Sequence, residues 1–141
     1  MSSTIVVGYD GTPGAHAALD EALRVAGEIG GDVVAVFAYD RVVIGGESHD
    51  LDREVQKRGS QMLDEAAEQA RAAGITLTAR YVEDRPADAL VGAADACDAR
   101  FIVVGSYGEK PLKGVLVGST PYRLIHLAER PIIVVRIPDS A

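Results

Sequence analysis

The chain has 141 residues and a formal net charge of −7, a length that suits one domain, residues 1–141. The acidic balance argues against a broad nucleic-acid or anionic-membrane surface, and no apolar run approaches the roughly 18 residues of a membrane span. The single Cys97 excludes an internal disulfide and fits a reducing compartment; no basic n-region and apolar h-region open the chain, so a cytoplasmic location is expected.

Ile5-Val6-Val7, running into Gly8-Tyr9-Asp10, reads as a first strand. Thr12-Pro13 predicts a helix N-cap followed by proline at the first helical position. Ala15, Ala18, Leu19, Ala22, Ala26 and Ile29 keep a 3.6-residue period and give the first helix, stopped by Gly30-Gly31. Val33 to Ala38 is a continuous apolar run, as in a strand covered on both faces. Residues 40–50, with Gly45-Gly46 and several charges, break the rhythm and read as an exposed insert.

Val55, Met62, Ala66, Ala70 and Ala73 mark a second helix, weakened early by Gly59 and ended by Gly74. Ile75 to Val82 alternates and reads as an edge strand. Leu90, Ala93, Ala94 and Cys97 give a third helix, with Cys97 as a small buried hydrophobe. Phe101 to Val104 is a fourth strand, residues 120–128 a fourth helix, and Pro131 to Val135 a fifth strand. This alternation demands an α/β fold with a doubly wound five-stranded parallel sheet and right-handed crossovers. Ligands of such sheets sit beyond the carboxyl ends of the strands, where Asp10, Ala38 and Gly105 converge.

The spacing Gly105-x2-Gly108-x9-Gly118-Ser119 joins the fourth strand to the fourth helix. Its connecting loop exceeds the about two to six residues usual there. Glycines allow close backbone approach and positive φ, and the unpartnered N–H groups of a helix N-terminus favour an anion. A phosphate site is the expectation, although Gly118-Ser119 also has the composition of a plain helix cap. Asp10 has two readings as well, as a site carboxylate or as the brace of the Gly11-Thr12-Pro13 turn. His16, His49 and His126 show no metal-ligand spacing and read as structural or surface residues.

Val-Gly-Tyr-Asp-Gly-Thr at residues 7–12, Val-Val-Gly-Ser at 103–106 and the full glycine spacing resemble the universal stress protein family over nearly the whole chain. The resemblance implies a flavodoxin-like fold of the adenine-nucleotide α-hydrolase-like type, strand order 3-2-1-4-5. It also implies homodimerisation through strand 5 (residues 131–136) and binding of ATP or another adenine nucleotide with Mg2+ or Mn2+. Carried over by position, Asp10 would lie near the ribose or a phosphate-bound metal, and Gly8, Tyr9 and Ala38 would frame ribose and adenine. Val104 and Gly105 would pass beneath the sugar. Tyr107 and Gly108 would meet the phosphates, which Gly118, Ser119 and Thr120 would cradle.

Two residues depart from that pattern. Pro121, in the first turn of the phosphate-side helix, has no N–H to donate, and Glu109 adds a negative charge to the loop beside Lys110 and Pro111. Both bear on triphosphate preference more than on nucleotide binding, and leave AMP or cyclic AMP as alternatives. No Gly-x4-Gly-Lys-Ser/Thr run is present, and Asp10 is the one obvious candidate for a metal ligand or base. A regulatory binder therefore reads ahead of a weak ATPase or phosphotransferase. A phosphorelay receiver is disfavoured by Tyr9 where a second acid would stand. A flavin carrier is disfavoured by the lack of tryptophan and by a phosphate loop that follows strand 4.

Overall fold

The computed structural model describes residues 2–39, 49–106 and 118–137. Residues 40–48 of the insert expected at 40–50 and the residues Tyr107, Gly108, Glu109, Lys110 and Pro111 lie outside them, while residues 49 and 50 are already helical. In chain order the elements are β1 (Thr4–Gly8), α1 (Pro13–Ile29), β2 (Asp32–Tyr39), α2 (His49–Ala73), β3 (Leu77–Glu83), α3 (Pro86–Cys97), β4 (Phe101–Gly105), α4 (Ser119–Leu127) and β5 (Ile132–Val135). The five strands form one sheet in the order β3-β2-β1-β4-β5. Every pairing is parallel, with Val6 opposite both Val34 and Ile102, Val34 opposite Thr78, and Val103 opposite Ile133.

Side chains alternate across a strand, so the apolar runs of β1, β2 and β4 fill two cores at once. On one face Ile5, Val7, Val33, Ala35 and Val103 pack with Leu19, Ala22 and Leu23 of α1 and Leu63 and Ala66 of α2. On the other, Val6, Val34, Val36, Ile102 and Val104 pack with Leu90, Ala93 and Ala94 of α3 and Leu124 of α4. β3 at one edge is mostly exposed, whereas all four residues of β5 at the other are half-buried.

The predicted cap of α1 is present: Thr12 accepts the Ala15 N–H, Pro13 opens the helix, and Gly30 ends it in the left-handed conformation at φ 69°. Gly59 does not weaken α2, which runs unbroken through it. A Cβ there would lie 2.9 Å from the rings of Phe37 and Tyr81, so this glycine is a notch that admits two aromatic side chains from the sheet. α3 begins at Pro86, a turn before its first apolar marker, and ends on Asp98, a left-handed residue at φ 49°. Arg130 holds that end, donating to the Ala99 carbonyl at 2.6 Å and to Asp95 at 2.9 Å. Cys97 is half-buried against the α3 core, and burial pushes its thiol above the usual range.

Candidate functional site

The strand order reverses between β1 and β4, so the connections leaving these two strands go to opposite faces of the sheet. That divergence opens a crevice at their carboxyl ends. The cleft found there is small, with a cavity volume of about 140 Å³, and opens to solvent. β1 supplies Gly8 and the residues after it, Tyr9 and Asp10. β2 supplies Val36 and Ala38, and β4 supplies Val104 and Gly105. Pro86 and Leu90 of α3 close the apolar side; Thr12 with Ser119, Thr120 and Pro121 of α4 form the polar side.

Local geometry explains each wall. Tyr9 donates its N–H to the Val36 carbonyl at 2.9 Å, which keeps the chain against β2 past the end of β1. Gly11, at φ 78°, then turns it into α1. Asp10 braces this turn, its Oδ1 accepting the Thr12 N–H at 3.0 Å and the Thr12 hydroxyl at 2.6 Å. Gly105 ends β4 beneath the first turn of α1, where a Cβ would stand 2.8 Å from the Gly14 carbonyl oxygen. This first glycine of the motif is therefore needed for close backbone approach.

The N-terminus of α4 differs from the plain-cap reading. Gly118 is the N-cap residue and makes no side-chain cap bond, so Ser119 and Thr120 are the first two helical residues. Helix geometry gives their N–H groups no intrahelical acceptor, and both residues line the cleft. Pro121 follows them, buried and also lining it. Gly118 lies at φ −72°, an ordinary backbone conformation, so its glycine is not explained by positive φ. It borders an adjoining surface groove with Tyr122 and His126 and does not line the main cleft. Ser106 ties the two ends of segment 107–117 together: its carbonyl accepts the Gly118 N–H at 2.5 Å, and its N–H reaches the Val135 carbonyl at 2.9 Å. Its buried hydroxyl has no hydrogen-bond partner among the described residues.

Of the residues singled out from sequence, Gly8, Tyr9, Asp10, Ala38, Val104, Gly105, Ser119 and Thr120 meet around this one cleft. Tyr107 and Gly108 lie outside the described residues. Thr12, Ala15, Val36, Pro86, Leu90 and Pro121 line it in addition. Val36 was discoverable from strand alternation, being two residues from Ala38 on the same face. Pro86 and Leu90 come from a crossover that no motif marks.

Tyr9 faces two ways. Its backbone borders the cleft, while its ring is 2% exposed in the core between α1 and α2. The phenol is 3.1 Å from His16 Nδ1 and 3.2 Å from Nε2. Burial, together with the negative charges of Glu65, Asp10 and Asp20, pushes its pKa up to about 12. Among the described residues no cluster of three or more His, Cys, Asp or Glu side chains could hold a metal. Asp10, with Oδ1 committed to Thr12, could still add one carboxylate oxygen to an ion held mainly by phosphates and water, which is common practice for Mg2+.

Among known proteins, the model described as "Universal stress protein family" matches residues 1–136. Universal stress protein Rv2005c of Mycobacterium tuberculosis is 35% identical over 94% of this chain, which spans about half (45%) of that relative's length. A solved universal stress protein in complex with cAMP is 31% identical, with a TM-score of 0.75, covering 94% of this chain and 95% of its own. The universal stress protein of Archaeoglobus fulgidus in complex with dAMP is 26% identical, with a TM-score of 0.74 and coverage of 94% and 96%.

Proposed function

Because this chain belongs to the universal stress protein family, we propose that it is a regulatory protein that binds an adenine nucleotide in the cleft between β1 and β4. The observation that carries this reading is the pairing of two unlike walls. Val36, Ala38, Pro86 and Leu90 offer an apolar slot of the kind a purine ring needs. Facing it, Ser119 and Thr120 bring unpartnered N–H groups and hydroxyls to the start of α4, where a phosphate belongs. The relatives solved with cAMP and dAMP support the same ligand class.

ATP with Mg2+ or Mn2+ is the ligand that the resemblance to the family implies, with Asp10 as the side chain nearest in kind to a metal ligand. In that complex the ion would screen the phosphates from Asp10, while Thr12 holds the carboxylate in place. Asp10 is the one ionisable side chain besides Tyr9 among the described lining residues, and general-base duty needs more than a braced carboxylate. Binding, with a change of partner or conformation, is therefore the proposed activity, and stress adaptation in the cytoplasm is the role that the family suggests.

Homodimerisation through β5 is part of the same reading. An apolar edge strand with half-buried residues needs cover, and α4 beside it exposes Tyr122 and Ile125. Backbone resonance mapping tests the site. Added nucleotide is expected to shift the amides of Gly8, Tyr9, Asp10, Ala38, Gly105, Ser119 and Thr120 first. Saturable shifts that leave these amides unmoved would refute it.

A further inference from the structure

The start of α4 is the polar end of the cleft, and its hydrogen-bond donors are few. Gly118 to Pro121 make up the N-cap and the first turn. The N–H of Gly118 is spent on the Ser106 carbonyl at 2.5 Å, and Gly118 borders the adjoining groove instead of the cleft. Pro121 lines the cleft but has no N–H. Ser119 and Thr120 remain, with two adjacent N–H groups that lack an intrahelical acceptor and a hydroxyl on each side chain.

Thr12 and Pro13, at the start of α1, add no free donor. Thr12 gives its N–H and its hydroxyl proton to Asp10 Oδ1, and its hydroxyl oxygen accepts the Ala15 N–H. Pro13 has no N–H. Asp10 brings a negative charge, and no lysine, arginine or histidine is among the described residues that line the cleft. In the adjoining groove Arg123 is paired with Asp88 at 3.4 Å, and the ring of His126 packs edge-on against Tyr122 at 5.0 Å.

A phosphate seated on a helix start is held by such backbone N–H groups. Two of them, with the two hydroxyls beside them, satisfy one phosphate group. Each further phosphate would add negative charge near the Asp10 carboxylate, where like charges repel, with no free N–H of Gly118 or Pro121 to receive it. We propose that the cleft takes an adenosine ester carrying a single phosphate group, as the free monoester or the cyclic diester, and that Pro121 and the Gly118–Ser106 bond set this limit. The inference rests on the adenine-nucleotide reading above and names the class of nucleotide within it.

The test is calorimetric titration of the whole, nucleotide-free protein with adenosine, AMP, cAMP, ADP and ATP, each with and without Mg2+. Affinity is expected to rise about tenfold or more from adenosine to AMP or cAMP, the effect of a hydrogen bond to a charged group, and to rise no further with ADP or ATP. The tighter of AMP and cAMP identifies the ester. Pro121→Ala regains one N–H and should raise the affinity for ATP relative to AMP about tenfold. Thermal denaturation checks that this variant is folded, and the wild-type series decides the question without it. ATP bound more tightly than AMP by wild type, with or without Mg2+, overturns the proposal and leaves the adenine-nucleotide reading standing. Equal affinity for adenosine and both monophosphates overturns it as well, as does a ratio of ATP to AMP affinity unchanged in folded Pro121→Ala. Binding of none of the five ligands removes the adenine-nucleotide reading itself, and the phosphate limit with it.

Discussion

Asp10 and Thr12 form a closed brace: one carboxylate oxygen takes both the N–H and the hydroxyl of Thr12, and the same hydroxyl accepts the Ala15 N–H at 3.2 Å. The turn that borders the cleft and the cap that starts α1 are thus one unit. Asp10→Ala should loosen both, costing up to about 1 kcal/mol in urea denaturation, the size of a lost cap. Asp10→Asn retains an acceptor and should unfold close to wild type, while losing whatever part of nucleotide affinity depends on Mg2+. A Mg2+ dependence that survives Asp10→Asn would leave this residue with the turn alone.

Pro121 occupies the third position of α4, where any other residue would present an unpartnered N–H beside those of Ser119 and Thr120. Its ring is buried and borders the cleft. Pro121→Ala restores that donor. A hydrogen bond to a charged group contributes about 1.5–3 kcal/mol, so ATP affinity should rise by about tenfold or more, with cAMP affected less. Equal gains for both ligands would mean that Pro121 does not select on phosphate number.

Gly105 leaves no room for a side chain, with the Gly14 carbonyl oxygen 2.8 Å from where its Cβ would be. The neighbour is backbone, in a buried first turn, and cannot swing aside. Gly105→Ala should destabilise the fold by about 1–3 kcal/mol, the cost of overpacking. By shifting α1 against β4 it should also weaken nucleotide binding. Thermal denaturation checks the first effect, and an unchanged melting temperature would contradict it.

Tyr9 gives a pH dependence whose sign is fixed. Its phenol is neutral in the folded protein up to about pH 12, against 10.0 for an unburied tyrosine, chiefly because burial penalises the anion. The unfolded chain therefore loses this proton first. The contribution to stability is fully present below pH 10 and is lost as pH rises through about 12, a change on the order of 2 kcal/mol. Tyr9→Phe should remove that part of the alkaline decline. A wild-type stability curve flat from pH 10 to 12 would contradict the buried phenol.

The parallel sheet was legible because its central strands are short, continuous apolar runs such as Val33 to Ala38, separated by helical periods and glycine stops. The polar side of the cleft was legible too, through Gly105, Ser119 and Thr120, because close backbone approach and a helix start leave compositional marks. The apolar side was only partly so. Ala38 was found by position, but Pro86 and Leu90 reach the cleft through a crossover, and adjacency of that kind is a property of the fold. Gly59 misled for a related reason: in a helix it counts as a weakness until Phe37 and Tyr81 are seen packed against it. The Tyr9–His16 contact spans seven residues, and its partners on α2 become visible only once α1 and α2 share a face of the sheet.

The central claim, an adenine nucleotide held between β1 and β4, is tested most directly by calorimetric titration of nucleotide-free protein with ATP in the presence of Mg2+, and with cAMP. The account predicts saturable one-to-one binding of at least one of them. Excess ligand at about 100 times its dissociation constant should then stabilise the fold by about 2.7 kcal/mol, visible as a raised melting temperature. No binding heat from either nucleotide, with the melting temperature unchanged, would contradict it.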